Sequence, residues 1–246
     1  MAILQEYHAP STLAEAVALL GRREARLVPL AGGAQLVGQL ETRQRPEVDG
    51  VVDLRSLALD EIWLQDNLLH LGATATLSQV IAHEAAGTLA DSLLSRTARA
   101  EGPLNWRNAA TVGGIIATAA DDSEFYAALL ALDGTVLTQT ADGASATPLR
   151  DFVRQPGALI TAVTVSWTTA RGGHARVART PSDRPIVAAV VVSTPNQPRI
   201  AFCGVGDRPV LHGDMLAPPD DFKGSADYRR AMAEIVLARA LAEIAG

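Results

Sequence analysis

A single cysteine, Cys203, stands in a chain of 246 residues. One thiol excludes an internal disulfide, and it excludes any zinc or iron–sulfur site built from several thiolates. A reducing, cytoplasmic setting fits that thiol usage. Aromatic residues are also scarce, at 4%, and Trp63, Trp106 and Trp167 lie too far apart in sequence to read as one base-stacking platform. Basic blocks are missing: 21 Lys and Arg face 27 Asp and Glu, for a net charge of −6, which argues against a nucleic-acid partner. No apolar run approaches the roughly 20 residues of a transmembrane helix, since IVAAVVVS at 186–193 is far too short. The opening MAILQEYHAP lacks the charged and apolar regions of a signal peptide. A soluble intracellular protein is the expectation. The histidines His8, His70, His83, His174 and His212 show no ligand spacing, so no metal site is expected. G-x-S-x-G, G-x-G-x-x-G and G-x-x-x-x-G-K are absent, which leaves a nucleophile elbow, a Rossmann fingerprint and a P-loop without support.

What is present is a chain 48% hydrophobic, enough for a sizeable core in one large domain or two smaller ones. Thr12 and Glu15 fit a capping box at the start of a helix, and Thr76 with Gln79 fit a second. Strand-like runs precede Gly32 and Gly72, and VVDLRSL adds another. Asp142–Gly143 reads as a hairpin turn. From about residue 159 the texture changes to strand-like runs separated by Gly, Pro, Ser and Asn. A final helix follows, with Leu237, Leu241 and Ile244 on one stripe and Tyr228, Met232 and Ile235 on another. The order predicts an α+β protein with domains over 1–158 (subparts about 1–55 and 56–158) and 159–246.

Two glycine pairs carry the functional signal. Gly32–Gly33 and Gly113–Gly114 each read as strand, Gly–Gly, small residues, helix. Successive amides at such turns form anion-binding nests, and two nests could embrace one pyrophosphate. A plain turn is the alternative for either pair. Asp121 and Asp122 read as partners of the following helix dipole, whereas Glu124 could serve a metal or a ribose hydroxyl. Cys203 reads as buried and inert.

PLAGGAQL at 29–36 and NWRNAATVGGIIATAADDSE at 105–124 resemble the FAD-binding, medium subunit of the molybdenum hydroxylases, the family of xanthine dehydrogenase and aerobic carbon monoxide dehydrogenase. YHAPSTLAEAVALL, VVDLRSL, LGATATLSQV, ALLALDGTVL, ARTPSDRPIVAAVVV and DYRRAMAEIVLARALAEI extend the resemblance, in order, almost end to end. It implies a two-part FAD-binding domain of the molybdopterin dehydrogenase type, followed by a small C-terminal domain of antiparallel sheet plus helix. It implies FAD as cofactor, held by Leu30, Ala31, Gly32, Gly33, Ala34, Gln35 and Leu36, by Thr111, Val112, Gly113, Gly114 and Ile115, and by Glu124 and Ile160. It also implies partners: a large molybdenum-cofactor subunit and a small [2Fe–2S] subunit in a hetero-oligomer, with electrons leaving to NAD, a quinone or another acceptor. No catalytic side chain and no metal are implied on this chain.

The pattern is not kept throughout. AGGTDL of the family reads AGGAQL, so Ala34 and Gln35 replace Thr and Asp; GGN reads GGI, with Ile115 in place of an amide; SPAAD reads ADDSE, which adds Asp121 and Asp122 near a diphosphate site. A flavin-side lysine has no clear counterpart; Arg176 is the nearest cation, and Arg179 with Asp183 resembles the pair that follows it. Two readings stay open. Ile115 packs into the core while glycine amides hold FAD, or the chain is a degenerate, flavin-free assembly subunit of the same fold.

Overall fold

Short apolar runs between capped helices build three sheets in a computed structural model that describes residues 4–246; the first three residues of the opening MAILQEYHAP lie outside the described residues. The first sheet takes β1 (Glu6–His8), β2 (Leu27–Leu30) and β3 (Gly50–Asp53), in the order β1-β3-β2, with both pairs parallel. β3 is buried along its length, as expected of the central strand of a parallel sheet. Helix α1 (Leu13–Leu20) and helix α2 (Leu36–Glu41) connect these strands. Thr12 caps α1 by accepting the Glu15 N–H at 3.2 Å, as its capping pattern predicts.

The second sheet is antiparallel, with β4 (Ile62–Gln65), β5 (Leu68–Gly72), β6 (Thr135–Thr140), β7 (Gly143–Pro148) and β8 (Leu159–Ser166) in the order β4-β5-β8-β6-β7. Between β5 and β6 run six helices: α3 (Leu77–Ala82), α4 (Glu84–Thr88), α5 (Leu93–Ala100), α6 (Leu104–Ala109), α7 (Val112–Thr118) and α8 (Glu124–Ala131). Thr76 and Gln79 form the expected capping box on α3. β8 falls beyond residue 158, yet it pairs with β5 and β6, so the change of sheet comes after Ser166. Its apolar run resembles the strands that follow it, and only long-range pairing assigns it to the middle sheet.

The third sheet, β12-β11-β10-β9, holds β9 (Gly172–Val177), β10 (Val187–Val192), β11 (Arg199–Cys203) and β12 (Val210–Leu211). Side chains on a strand alternate between faces, and β10 is covered on both. Ala188, Val190 and Val192 join the main core around α8, while Val187, Ala189 and Val191 pack under the terminal helix α9 (Ala226–Ala245). The buried line of α9 is Arg229, Ala233, Val236 and Ala240. Met232, Leu237, Leu241 and Ile244 flank that line, and Tyr228 and Ile235 face outward. Small residues take the centre because helix and sheet backbones nearly touch: a Cβ on Gly173 would lie 2.0 Å from the Ala240 carbonyl oxygen. No helix among the described residues is long and apolar enough to cross a membrane.

Candidate functional site

β2 delivers the chain to Gly32 and Gly33 at the carboxyl edge of the parallel sheet. Gly33 has φ +72°, a left-handed conformation that favours glycine. Gly32 is required for a different reason: a Cβ there would sit 1.5 Å from the carbonyl oxygen of Ala109, at the end of α6. The two glycine-containing segments therefore meet directly. Along the first of them, the amides of Ala31, Gly32, Gly33, Ala34 and Gln35 donate to no backbone carbonyl among the described residues. α2 takes up its hydrogen bonds only from Val37, whose N–H reaches the Gly33 carbonyl at 3.1 Å.

The second glycine pair differs from its sequence parse. No strand precedes it. α6 leads to Ala110, Thr111 makes an isolated bridge to Thr76, and Gly113–Gly114 form the first turn of α7. The β-branched Thr111–Val112 pair mimics a strand end, but Thr111 is the N-cap, accepting the Gly114 N–H at 3.2 Å. The other amides are also taken: Val112 N–H reaches the Ala75 carbonyl at 2.9 Å, Gly113 N–H that of Ala73 at 2.8 Å, and Ile115 N–H that of Thr111 at 2.9 Å. Gly113 is a packing glycine, since a Cβ would stand 2.9 Å from the Ala73 oxygen. One turn offers free donors, and the other shapes the wall against it.

Between them opens a cavity of about 610 Å³, within the usual range for small-molecule sites. Leu30 through Leu36, Thr111, Gly113, Gly114, Ile115 and Ile160 line it. Val112 is wholly buried beneath it. Ile115 is 7% exposed and belongs to the main core while closing the cavity wall. Glu124 is not brought to the cavity. It is buried at the start of α8, with Oε1 2.7 Å from His174 Nε2 and 3.4 Å from Arg176 Nε. Arg179 and Asp183 do pair, at 3.4 Å.

Asp121 and Asp122 also point their business elsewhere. Asp122 binds Arg184 at 2.8 Å and Lys223 at 2.9 Å, and the Asp121 carbonyl accepts the Gly204 N–H at 2.7 Å. Arg184 also holds Glu101 at 2.8 Å, and Glu101 accepts from Ser123 Oγ and the Phe125 N–H. Burial pushes the Glu101 carboxyl up, and Arg184 opposes that. In each of these ion pairs the acid comes from the middle unit and the cation from the segment after β8. Asp122 is thus a clasp between units with its charge compensated, while Asp121 joins them through its backbone carbonyl.

The cavity itself has no Asp, Glu or Lys in its lining among the described residues, but four arginines: Arg22, Arg26, Arg45 and Arg154. Sequence reasoning missed them, because they are scattered and belong to no motif. A run of free amides, cationic at its margins and backed by apolar strands, forms the class of site that suits an anionic ligand.

Comparison with known proteins gives that class a family. Residues 3–166 match the FAD-binding domain in molybdopterin dehydrogenases. The FAD subunit of nicotinate dehydrogenase from Eubacterium barkeri is 31% identical over 150 residues, 60% of this chain and 50% of that relative. The medium chain of carbon monoxide dehydrogenase from Afipia carboxidovorans is 26% identical over 276 aligned residues, 96% of this chain and 95% of that one. Among solved structures, a carbon monoxide dehydrogenase from Hydrogenophaga pseudoflava superimposes with a TM-score of 0.90 over 99% of this chain and 98% of that chain, at 23% identity. The chain belongs to the family of FAD-binding domains of molybdopterin dehydrogenases, and its cofactor is FAD.

Proposed function

We propose that this chain is the electron-transfer subunit of a molybdenum hydroxylase complex, receiving electrons from an iron–sulfur partner and delivering them to an external acceptor. One observation carries the reading: five consecutive residues whose amides have no backbone partner line a cavity of suitable size with no acid in its lining. Each amide aimed at an ionised oxygen makes a charge-assisted hydrogen bond, worth about 1.5–3 kcal/mol. FAD, when bound, supplies the redox chemistry, accepting and releasing electrons. The protein's part is to hold and orient. Ala31–Gln35 bind the diphosphate, Gly32 lets that loop lie against α6, and Ile115 and Ile160 exclude water from the wall.

The flavin-free scaffold is not favoured. Replacing the family's Thr, Asp and Asn by Ala34, Gln35 and Ile115 leaves the backbone donors intact, and of the added acids Asp122 is ion-paired while neither lines the cavity. The proposed partners are a molybdenum-cofactor large subunit and a [2Fe–2S] small subunit, in keeping with the medium-chain designation of the carbon monoxide dehydrogenase relative. Affinity purification of the tagged chain from its native cell, followed by metal and flavin analysis, tests this. Molybdenum, iron and FAD are expected in fixed ratio. A folded chain that purifies with FAD but with neither metal would contradict the partnership.

A further inference from the structure

Two walls of the cavity run the same course. On one, the chain passes from Arg26 through β2 to Gly32. On the other, it passes from Arg154 through Gly157 to Ile160, which leads into Thr161, the acceptor of the Ala73 N–H. Ala73 in turn accepts from Gly113, so Ile160 lies at the glycine end. Gly157 lies beside Gly21, with a Cβ there 3.5 Å from the Gly21 Cα, so the Arg154 loop lies at the end where Arg22 and Arg26 enter. The cavity thus has a glycine zone, and an arginine end about 20 Å away at most along six residues of chain. Beyond the glycine zone, α7 leads to Ala117 and Thr118, which line the cavity with Trp106.

The four arginines are not equivalent. Arg22 is held by Glu6 at 2.6 Å and Glu24 at 2.8 Å, and Arg45 by Glu47 at 2.6 Å. The guanidinium groups of Arg26 and Arg154 make no ion pair among the described residues, and both side chains are exposed to the cavity mouth. In a chain of net charge −6, two guanidinium groups without a direct ion pair among the described residues, at one end of a cavity with no acid in its lining, form a recognition element, although Glu47 lies within the field of Arg26. A ligand with a central diphosphate at the glycine zone extends one ring system to each side. Trp106, whose ring Arg184 approaches to 5.7 Å, adds aromatic surface to the lining on the far side. A guanidinium plane stacks on a purine and donates to its ring nitrogens.

We propose that Arg26 and Arg154 bind the adenosine end of FAD and make the site selective for the dinucleotide over FMN. The proposal rests on the reading that the cavity holds FAD.

Equilibrium titration of the full chain with FAD, ADP and FMN tests it, using Arg26→Gln, Arg154→Gln and the double variant. Circular dichroism melts serve as the control for fold, which these exposed side chains leave unchanged. The expected result is a roughly tenfold weaker affinity for both FAD and ADP in each single variant, a larger loss in the double, and FMN binding unchanged. Wild-type affinity for ADP should also fall as salt rises. Tight FAD binding that the variants leave unchanged would overturn the assignment and keep the cofactor reading, as would equal weakening of FMN. A wild-type chain that binds neither FAD nor ADP would overturn both.

Discussion

Gly32 carries the largest structural demand of any single residue at the site. A methyl group there meets the Ala109 carbonyl oxygen at 1.5 Å, so Gly32→Ala forces the loop off α6. The expected result is a loss of about 1–3 kcal/mol in stability and at least tenfold weaker FAD binding, read by denaturant melts and flavin titration. Gly38, in the middle of α2 with open space around it, is the matched control. Gly38→Ala should raise stability by about 0.5–1 kcal/mol and leave FAD affinity unchanged. A similar loss from both variants would refute the contact argument. Legibility at this scale was uneven for a physical reason. Gly32–Gly33 could be read because a strand, a turn and a helix follow one another locally. Gly113–Gly114 could not, because whether an amide is free depends on carbonyls at Ala73 and Ala75, some forty residues earlier in the chain. Of the two sequence readings of Ile115, the structure shows the packing half of the first: it belongs to the main core and also lines the cavity.

Elements are held together by ionic contacts that the sequence showed only as a run of acids. Arg184 spans Glu101 and Asp122, and removing one member of a buried pair strands the other. Arg184→Met should cost about 2–4 kcal/mol, toward the lower end because its side chain is 28% exposed. Burial holds the Glu101 carboxyl above its ordinary value. A carboxyl raised in the folded state adds stability below its unfolded pKa and loses it as pH rises through the folded value. The Arg184→Met deficit should therefore be small near pH 4 and grow toward pH 8, measured by thermal melts across that range. A deficit independent of pH would mean that packing, not charge, is what Arg184 supplies. In the parallel sheet the sign reverses. Asp53 is held at about 2, first by Arg55 and also by Tyr7. Its contribution is present above the usual carboxylate range and is lost as pH falls toward 2. Asp53→Asn should flatten that acid limb and lower stability at pH 7 by about 1–2 kcal/mol, discounted for the exposed Arg55.

At the scale of the molecule, the α+β class, the capped helices and the C-terminal sheet with its closing helix were all legible, since each rests on local periodicity and capping. The order of strands was not. β8 shows why: its apolar run suits either sheet, and the choice is made by partners at β5 and β6. The cationic end of the cavity was equally hidden, because Arg26 and Arg154, far apart in sequence, line one cavity only in the folded chain. The proposed role of the whole arrangement is to hold a dinucleotide by backbone donors between two packed units. Its most direct test is the flavin content of the purified full chain after incubation with excess FAD and desalting, by the visible absorption spectrum. The account predicts one FAD per chain, displaced competitively by ADP. A folded, monodisperse chain that emerges colourless and shows no saturable FAD binding would contradict it.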